Sequence, residues 1–371
     1  MTEASGTRLA TSTCPEGSAL ALTGGAHARG LGQAAAQPDL IAAVRAAVMG
    51  RIGDGAEALA AAGGYIQQQW RFMEIHGPHH LQQLQGIADG YGLEVRDLFA
   101  YLHMGMVEDA DGLPASDDDG CSAVALSGDG GESLIAKNRD YRGEHKALQQ
   151  VFLERDPAWG ARRVLSVGSL GSPGAFSSGI NSDGLALVDT RVGWRRPQVG
   201  WLRYLLMNEV LISAGSVAEA LGIIETVPHA GGGVVALADS TGARAVVELG
   251  AGRIAVQQAG AVGITRTNHF HDAELAAGQT RVPTDPASAN SVGRFQRLQA
   301  WLDSLGGRPV SIETLGATMA SHAAAGAPAV CRHGGEDRSE TISSAIFACN
   351  SRKLYFCPGN PCRETWQVYA F

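Results

Sequence analysis

The sequence of 371 residues lacks any long hydrophobic run. No stretch of about 18 consecutive apolar residues occurs, so no transmembrane helix is expected. Residues 1–6 show neither the basic region nor the apolar core of a signal peptide, and we expect a cytoplasmic protein. The formal net charge of −8 argues against a nucleic-acid partner and against an anionic membrane surface.

Cysteine is also sparse, and its spacing is irregular. The six cysteines are Cys14, Cys121, Cys331, Cys349, Cys357 and Cys362. In a chain of this length, such spacing is not typical of a disulfide framework. A metal site built from Cys331, His333 and the last three cysteines lacks paired C-x-x-C spacing, so neither a metal nor another cofactor is expected. His76, His79 and His80 surround a Gly-Pro step and indicate a turn between helices.

The chain does contain enough apolar residues for a sizeable core. Hydrophobic residues make up 45% of the sequence and charged residues 18%, which is typical of a globular protein. Glycine accounts for 49 of the 371 residues, about 13% against a usual ~7%. This excess predicts tight hairpins and close approaches of the backbone near a site.

The first 120 residues read as almost entirely helical. Residues 1–23 are small and polar, and we expect them to be loosely ordered. Residues 24–32 form a glycine-rich turn region that does not match G-x-G-x-x-G and follows no convincing strand, so it is not a phosphate loop. Asp39 is expected to cap a first helix, which Gly50 and Gly53 end. Three further helices are predicted around residues 56–75, 81–87 and 95–106.

At residue 121 the pattern changes to short apolar strands separated by pairs of helices. Strands are predicted at residues 123–126, 133–137, 164–167, 185–188, 234–238, 245–249, 254–257, 341–347, 353–356 and 366–369. Helices are predicted at residues 201–212, 217–224, 292–305 and 312–319. Blocks of strands alternating with pairs of helices indicate an α+β fold with two antiparallel sheets face to face and helices outside.

The strongest candidate for chemistry is Cys121, which follows three aspartates and Gly120 and opens the first of these strands. Cysteine is the most nucleophilic of the common side chains near neutral pH. Without a Cβ, Gly120 is expected to allow strained dihedrals and to leave its carbonyl open to attack. Attack by the thiol, an acyl shift from nitrogen to sulfur and hydrolysis would create an N-terminal cysteine. Its α-amine, with a reference pKa of about 7.7–8.0, can then serve as the base for its own thiol.

Three further motifs follow the Gly120-Cys121 pair in order: residues 138–141 (NRDY), 179–186 (GINSDGLA) and 267–270 (TNHF). This ordered set resembles the acyl-coenzyme A:isopenicillin N acyltransferase family, also called the acyl-coenzyme A:6-aminopenicillanic acid acyltransferases. These are cysteine-type N-terminal-nucleophile (Ntn) hydrolases, peptidase family C45. The similarity runs from residue 24 to residue 371, and the family's tryptophan in the N-x-D-W turn is replaced here by tyrosine.

The resemblance implies a four-layer αββα sandwich and self-cleavage before Cys121. Residues 1–120 would form a helical piece and residues 121–371 the catalytic piece, and the two would stay associated. Cys121 would be the nucleophile and its freed amine the base. Asp140 would orient that amine, although a turn aspartate bonded to local backbone is the alternative. Asn268 would donate its side-chain amide to the oxyanion, and its alternative is a turn residue at a strand end.

Three more residues are candidates for the substrate side of the site. Arg332 stands about where the family has a substrate-side arginine, and a surface salt bridge explains it equally well. Asn181 is read first as a turn former and second as a residue that lines the site. Tyr141 would line the pocket in place of the family's tryptophan.

The predicted function is cleavage of a C–N amide bond through an acyl-cysteine intermediate, with transfer of the acyl group to water or an amine. The substrate would be a small-molecule amide or acyl thioester, and no coenzyme A motif is recognisable. Two alternatives are a non-catalytic small-molecule binding protein on the same scaffold and a metal-dependent hydrolase that uses the histidines. A homo-oligomer is compatible with the sequence, whereas nucleic-acid and membrane partners are not expected.

Overall fold

The computed structural model describes residues 11–13, 19–110, 120–281, 288–323, 328–334 and 339–371. The α-helices in these ranges are α1 (Ala26–Ala36), α2 (Ile41–Asp54), α3 (Ala56–Ala61), α4 (Gly63–His76), α5 (Pro78–Tyr91), α6 (Val95–Ala110), α7 (Arg203–Ser213), α8 (Val217–Thr226), α9 (Ala273–Gly278), α10 (Ala289–Leu305) and α11 (Ile312–Met319). The β-strands are β1 (Thr11–Thr13), β2 (Leu20–Thr23), β3 (Gly120–Ser127), β4 (Ser133–Arg142), β5 (Gln149–Arg155), β6 (Arg163–Ser169), β7 (Ser178–Asn181), β8 (Ala186–Thr190), β9 (Val234–Ala238), β10 (Arg244–Gly250), β11 (Arg253–Gln258), β12 (Ile264–Arg266), β13 (Ser339–Ala348), β14 (Lys353–Pro358) and β15 (Trp366–Ala370).

The strands form a seven-stranded and an eight-stranded sheet. The seven-stranded sheet has the order β1-β15-β14-β13-β4-β3-β12, and the eight-stranded sheet has the order β11-β10-β9-β8-β7-β6-β5-β2. Neighbouring described strands are antiparallel except at one edge of each sheet, where β1 pairs with β15 and β2 with β5 in parallel. Both parallel edge strands come from the N-terminal part of the chain.

Alternation of side chains along β3 explains why the sheets are covered on both faces. Ala123 and Ala125 point into the core between the two sheets, whereas Val124 and Leu126 point outward to a second core. That second core is formed with α10 and α11, and Leu298 is one of its members. Helices α1, α2 and α4 to α8 contribute to the core on the outer face of the eight-stranded sheet. The layers are therefore helix, sheet, sheet, helix, and the predicted α+β, αββα architecture is confirmed.

Helix ends are less well predicted than helix positions. Asp39 does not cap the first helix, because it lies in a short 3-10 turn and α2 begins without a side-chain cap. Helix α2 continues through Gly50 and Gly53, since the burial of Val44 and Val48 outweighs the helix cost of about 1 kcal/mol per glycine. The predicted helix over residues 56–75 is divided into α3 and α4.

The expectation of loose order before residue 24 is wrong for the strands β1 and β2. The glycine-rich stretch at 24–32 is not a turn region either, because most of it belongs to α1, which directly follows β2. The partners β5 and β15 are far away in sequence, so local composition does not reveal this pairing. Strands β5, β7 and β12 and helix α9 were also not predicted from the sequence. These elements are short, or their partners are far away in sequence. Cys14 and the three aspartates before Gly120 lie outside the described residues.

Helices α1 and α5 cross with their backbones in contact at two glycines. A Cβ on Gly30 would lie 2.1 Å from the carbonyl oxygen of Gln83, and one on Gly86 would lie 2.0 Å from the carbonyl oxygen of His27. Each glycine therefore permits a separation that no other residue allows. None of the helices in the described ranges combines the length and hydropathy that crossing a bilayer requires.

Replacing Gly86 with alanine should force α1 away from α5 and lower the free energy of unfolding by about 1–3 kcal/mol, the usual cost of overpacking. Gly50→Ala is the matched control, because a Cβ there meets nothing within 4 Å. That variant should gain about 0.5–1 kcal/mol from helix propensity alone. Urea unfolding measures both variants. Equal stability of Gly86→Ala and Gly50→Ala would show that the close crossing is not a constraint.

Candidate active site

Strands β3 and β4 form a hairpin that fixes the position of Cys121. Cys121 lies opposite Arg139 and Gly120 lies opposite Asp140. Because cross-strand partners point to the same face of a sheet, Cys121 and Arg139 face the space between the sheets. Gly120 and Asp140 face outward, toward the layer of α10 and α11. Cys121 is buried near the start of β3, so its thiol lies at the end of the core between the two sheets.

Asn268 holds the backbone nitrogen of Cys121. Its Oδ1 accepts a hydrogen bond from Cys121 N at 2.9 Å, and its Nδ2 donates to the carbonyl oxygen of Arg191 at 2.9 Å. The backbone N–H of Asn268 donates to Ser291 Oγ of α10 at 2.9 Å. Asn268 follows β12, the direct neighbour of β3, which is why two residues so far apart in sequence meet. The structure thus brings the predicted nucleophile and the predicted oxyanion donor together.

Arg294 completes this group, and it was not a candidate from the sequence. Its guanidinium donates to the carbonyl oxygen of Cys121 at 2.5 Å, to Ser122 Oγ at 2.8 Å and to Asn268 Oδ1 at 2.8 Å. Its Nε donates to Asn290 Oδ1 at 2.8 Å. Arg294 is only 1% exposed. One buried cation therefore ties the strand of the cysteine to the segment of Asn268.

One feature of the sequence could have identified Arg294: it is a charged residue among the apolar positions of one helix face. The buried positions of α10 are Ser291, Arg294, Leu298 and Leu302, which follow helical spacing. Charged side chains are almost never fully buried unless they are paired. An arginine on the core side of this helix therefore indicates a polar partner inside the fold.

Asp140 and Arg332 meet on the outward face of the hairpin. Asp140 Oδ1 accepts a hydrogen bond from Thr341 Oγ1 at 2.7 Å, and Oδ2 lies 3.9 Å from Arg332 Nη1. Oδ2 is buried and makes no hydrogen bond to any residue of the described ranges. The backbone N–H of Arg332 also donates to Thr341 Oγ1, at 2.9 Å. Thr341 thus places the carboxylate and the guanidinium next to each other.

The charges of this face also act on Arg294. Burial lowers the pKa of Arg294, the negative charge of Asp140 raises it, and the positive charge of Arg332 lowers it. A guanidinium has an ordinary pKa so high that it keeps its proton in proteins. Arg294 is therefore a permanent cation between the carboxylate and the cysteine.

Gly120 is needed for close approach and not for strain. A Cβ there would lie 2.7 Å from Asp140 Oδ2 and 2.9 Å from Arg332 Nη1. Its φ does not lie in the left-handed region, so the expectation of strained dihedrals at Gly120 is wrong. The glycine lets the carboxylate and the guanidinium come directly against the backbone that precedes Cys121.

Asn181 is not brought to this group. Its Nδ2 donates to the carbonyl oxygens of Leu211 at 2.9 Å and Ala214 at 2.6 Å. Its Oδ1 accepts from the backbone N–H groups of Asp183 at 3.2 Å and Leu185 at 3.1 Å. The side-chain amide is fully used in joining a β-turn to the end of α7. Its geometry is that of the turn former and not of the site-lining residue.

Tyr141 follows Asp140 and points to the opposite face, the one that Cys121 also faces. Its ring lies 4.7 Å from the ring of His145, and the guanidinium of Arg139 lies 5.6 Å from its centre. Arg139 in turn donates to Gln149 Oε1 and Ser169 Oγ, each at 3.0 Å. Tyr141 therefore lies two residues beyond Arg139, the cross-strand partner of Cys121, on the same face of the sheet.

His269 follows Asn268 in sequence, and its ring contacts Ser291 and His271. His269 Nδ1 is 2.9 Å from Ser291 Oγ, and the ring stacks on that of His271 at 4.8 Å. Burial lowers the pKa of His269 to about 4, helped by the charges of Arg294 and Arg266. The imidazole is therefore neutral at neutral pH.

His79 and His80 belong to the helical layer that covers the eight-stranded sheet. Their Nε2 atoms lie 3.0 and 3.1 Å from Glu209 Oε2 of α7. Burial lowers the pKa of His80. Cys121 is in the seven-stranded sheet, so these histidines and the cysteine are in different layers.

Comparison with solved structures finds distant likenesses. A mutant of the conjugated bile acid hydrolase from Clostridium perfringens shares 14% identity, with a TM-score of 0.43 over 68% of this chain and 97% of that one. A second variant of the same hydrolase shares 16% identity, with a TM-score of 0.42 and the same coverage. Penicillin V acylase from Agrobacterium tumefaciens shares 14% identity, with a TM-score of 0.41 over 64% of this chain and 82% of that one. No curated protein matches the chain.

A family model described as acyl-coenzyme A:6-aminopenicillanic acid acyl-transferase matches residues 126–363. The matched region begins five residues after Cys121 and contains Asp140, Asn268, Arg294 and Arg332. It comprises 238 of the 371 residues, about 64% of the chain. The family that the motifs predicted is confirmed, and this chain belongs to the acyl-coenzyme A:6-aminopenicillanic acid acyltransferase family.

Proposed function

We propose that this protein is a self-processing enzyme that breaks an amide bond with the thiol of Cys121. The sulfur attacks the amide carbonyl, the C–N bond breaks, and the amine leaves with a proton. The acyl-cysteine then passes its acyl group to water or to a second amine. The observation that supports this proposal is the 2.9 Å hydrogen bond from the backbone nitrogen of Cys121 to Asn268 Oδ1, which joins our candidate oxyanion donor to a buried cysteine.

Self-cleavage follows from the same residues. Cys121 Sγ attacks the carbonyl carbon of Gly120, the peptide C–N bond breaks, and the nitrogen takes up a proton to become an α-amine. Water then hydrolyses the thioester, which releases a carboxylate on Gly120 and restores the thiol. Asp140 Oδ2 supports this step because it is buried, lies against Gly120 and has no hydrogen bond within the described chain. We assign it to orient the amine once it is free.

Asn268 can serve two purposes because its amide has a donor and an acceptor end. Oδ1 positions Cys121 N, whereas Nδ2 carries two N–H groups, of which one donates to the carbonyl of Arg191. We assign the second N–H to the oxyanion. Arg294 keeps this orientation, since its guanidinium accepts nothing and must face Oδ1.

The two pieces should remain together after cleavage because the N-terminal piece is built into both sheets. Strand β2 pairs with β5, and β1 pairs with β15. Arg29 of α1 is buried and forms ion pairs with buried Glu154 and partly buried Asp156 of the catalytic piece. The apolar core under the eight-stranded sheet contains residues from both pieces. Separation would expose this core and leave buried charges unpaired.

The finer features of the function stay predictions. The substrate is proposed to be a small-molecule amide or an acyl thioester, with Arg332 and Tyr141 on the substrate side. A cytoplasmic location and a homo-oligomer also stay predictions. A binding protein without catalysis has no need of Cys121, Asp140 and Asn268 together, so we favour the enzyme.

Self-cleavage predicts that the purified wild-type protein consists of two pieces, residues 1–120 and 121–371, which intact mass spectrometry resolves. Cys121→Ala should remain one chain because it lacks the attacking sulfur. Cys357→Ala, which removes a buried thiol from the outer core, should be cut like the wild type. Cleavage of Cys121→Ala at the same bond would refute the mechanism.

Asn268→Asp tests the oxyanion assignment, because it keeps the acceptor Oδ1 and removes the amide donor. We expect kcat to fall by roughly 10²–10³, or about 2.7–4 kcal/mol, with little change in KM. Asn290→Asp is the matched control, since it makes the same change beside Arg294 but does not touch Cys121 or Asn268. Steady-state kinetics decide the question. A loss of substrate binding at unchanged kcat would make Asn268 a pocket residue instead.

The α-amine as base predicts that activity rises with pH through one ionisation near its reference pKa of about 7.7–8.0, because only the neutral amine accepts the thiol proton. Once the amine is free, Asp140 and Asn268 Oδ1 would favour its charged form and raise this pKa, whereas burial and the charge of Arg294 would lower it. His269, with a pKa of about 4, is already neutral in this range and adds no ionisation there. His269→Gln should therefore leave the pH profile unchanged.

A blocked amine gives the sharper form of this test. Residues 121–371 are expressed with one extra residue kept before Cys121, together with residues 1–120, and the same pair without the extra residue is the control. The blocked protein should fold and react slowly with iodoacetamide but should not turn over. A near-normal rate in the blocked protein would assign the base to another group.

A further inference from the structure

Four side chains outside the catalytic group converge in the loops beside it: His322, Cys331, His333 and Cys362. Their ligand atoms all lie within 4.8 Å of one another. His322 follows α11, Cys331 and His333 precede β13, and Cys362 lies between β14 and β15. We refer to these four residues as the Cys2His2 cluster. Its spacing along the chain includes no C-x-x-C pair, which is why no metal is expected from the sequence, and His322 was not a candidate there.

The separations in the Cys2His2 cluster are those of ligands around one small ion. Cys331 Sγ lies 3.5 Å from Cys362 Sγ, and His333 Nε2 lies 2.9 Å from His322 Nε2. His333 Nε2 is 3.2 Å from Cys362 Sγ and 3.9 Å from Cys331 Sγ. Tetrahedral zinc with bonds of about 2.3 Å to sulfur and 2.0–2.1 Å to nitrogen separates its ligands by about 3.3–3.8 Å. Each of these four separations lies within about 0.5 Å of that range.

The backbone around the cluster is fixed by its own hydrogen bonds. The carbonyl oxygen of Ser321 accepts from the N–H groups of Val330 and Cys331, each at 3.1 Å, which joins the two loops that carry His322 and Cys331. Asn360 Nδ2 donates to the carbonyl oxygen of Arg332 at 2.7 Å and lies 4.0 Å from Cys331 Sγ. Such partners around a site orient its ligands before the metal arrives.

We propose that the Cys2His2 cluster is a structural Zn²⁺ site. Two thiolates and two neutral imidazoles are a ligand set of structural zinc, and four protein ligands leave no open position for water or substrate. Binding releases the two thiol protons, and the two thiolates balance the charge of the ion. The site therefore takes no part in breaking the amide bond and lies beyond the function proposed above.

Arg332 links the proposed metal site to the candidate active site. Arg332 stands between two zinc ligands, Cys331 and His333, and its guanidinium lies 3.9 Å from Asp140 Oδ2. Zinc would hold the backbone on both sides of this arginine and so keep its side chain against Asp140 and Gly120. The metal then acts as a positioning device for the substrate side of the site.

The test is the metal content of the full chain, without a histidine tag, in the Cys121→Ala background. Plasma mass spectrometry should find about one zinc per chain. Cobalt added to metal-free protein should give thiolate-to-cobalt charge transfer and the intense visible bands of a tetrahedral site. Cys362→Ser should lose the zinc and the charge-transfer band. His322→Ala, a change at an exposed residue, should fold and hold zinc more weakly.

Cys357→Ala is the control, because Cys357 is a buried thiol of the same region outside the cluster, and it should keep one zinc per chain. A protein without zinc or cobalt bands overturns the proposal. So does a Cys331–Cys362 disulfide, seen as a mass lower by two hydrogens, or zinc retained in Cys362→Ser. None of these readouts depends on turnover, so failure of the proposed activity leaves this test intact.

Discussion

The buried guanidinium of Arg294 is the interaction on which the rest of the site depends. A charge this far from water is costly unless every donor is satisfied. Here four hydrogen bonds compensate most of this cost: Nη1 donates to the Cys121 carbonyl and Ser122 Oγ, Nη2 to Asn268 Oδ1, and Nε to Asn290 Oδ1. These acceptors come from β3, from the segment after β12 and from α10 itself. The three elements therefore have to meet at one point, and Cys121 and Asn268 meet there with them.

Because side chains alternate along β3 and β4, the candidate active-site residues lie on two opposite faces of the hairpin. The thiol of Cys121 faces the space between the sheets, whereas Asp140 and Arg332 face the outer layer. The backbone between Gly120 and Cys121 lies at the boundary, within reach of both sides. In the proposed self-cleavage, the thiol would attack this peptide bond from one side, with the Asp140 carboxylate on the other side. This arrangement also explains why a Cβ at residue 120 would displace the side chains of Asp140 and Arg332.

The outer layer adds a second level of support to this site. Arg332 is held through Thr341, which bonds both its backbone and the carboxylate of Asp140. Asn360 bonds the carbonyl of Arg332 from the other side. The proposed zinc would lock the same loop through the residues that flank Arg332. The charged pair beside the proposed cleavage point is therefore positioned by the loops of the seven-stranded sheet, whereas the thiol is positioned by its strand.

Local pattern in the sequence was enough for features that depend on near neighbours. Helical periodicity located α5, α6 and α10, and the turn between two short apolar runs located the hairpin of β3 and β4, which brings Cys121 and Asp140 together. The order of the motifs identified the family and singled out Asn268. Only the tertiary structure decided the rest. Three features join residues that are far apart in the chain. They are the pairing of β1 with β15 and of β2 with β5, the burial of Arg294, and the proximity of His322 to Cys362. Such contacts are set by the packing of whole layers, whose energy is shared among many residues. Apart from the charged residue in the apolar stripe of α10, they leave no local trace in the sequence.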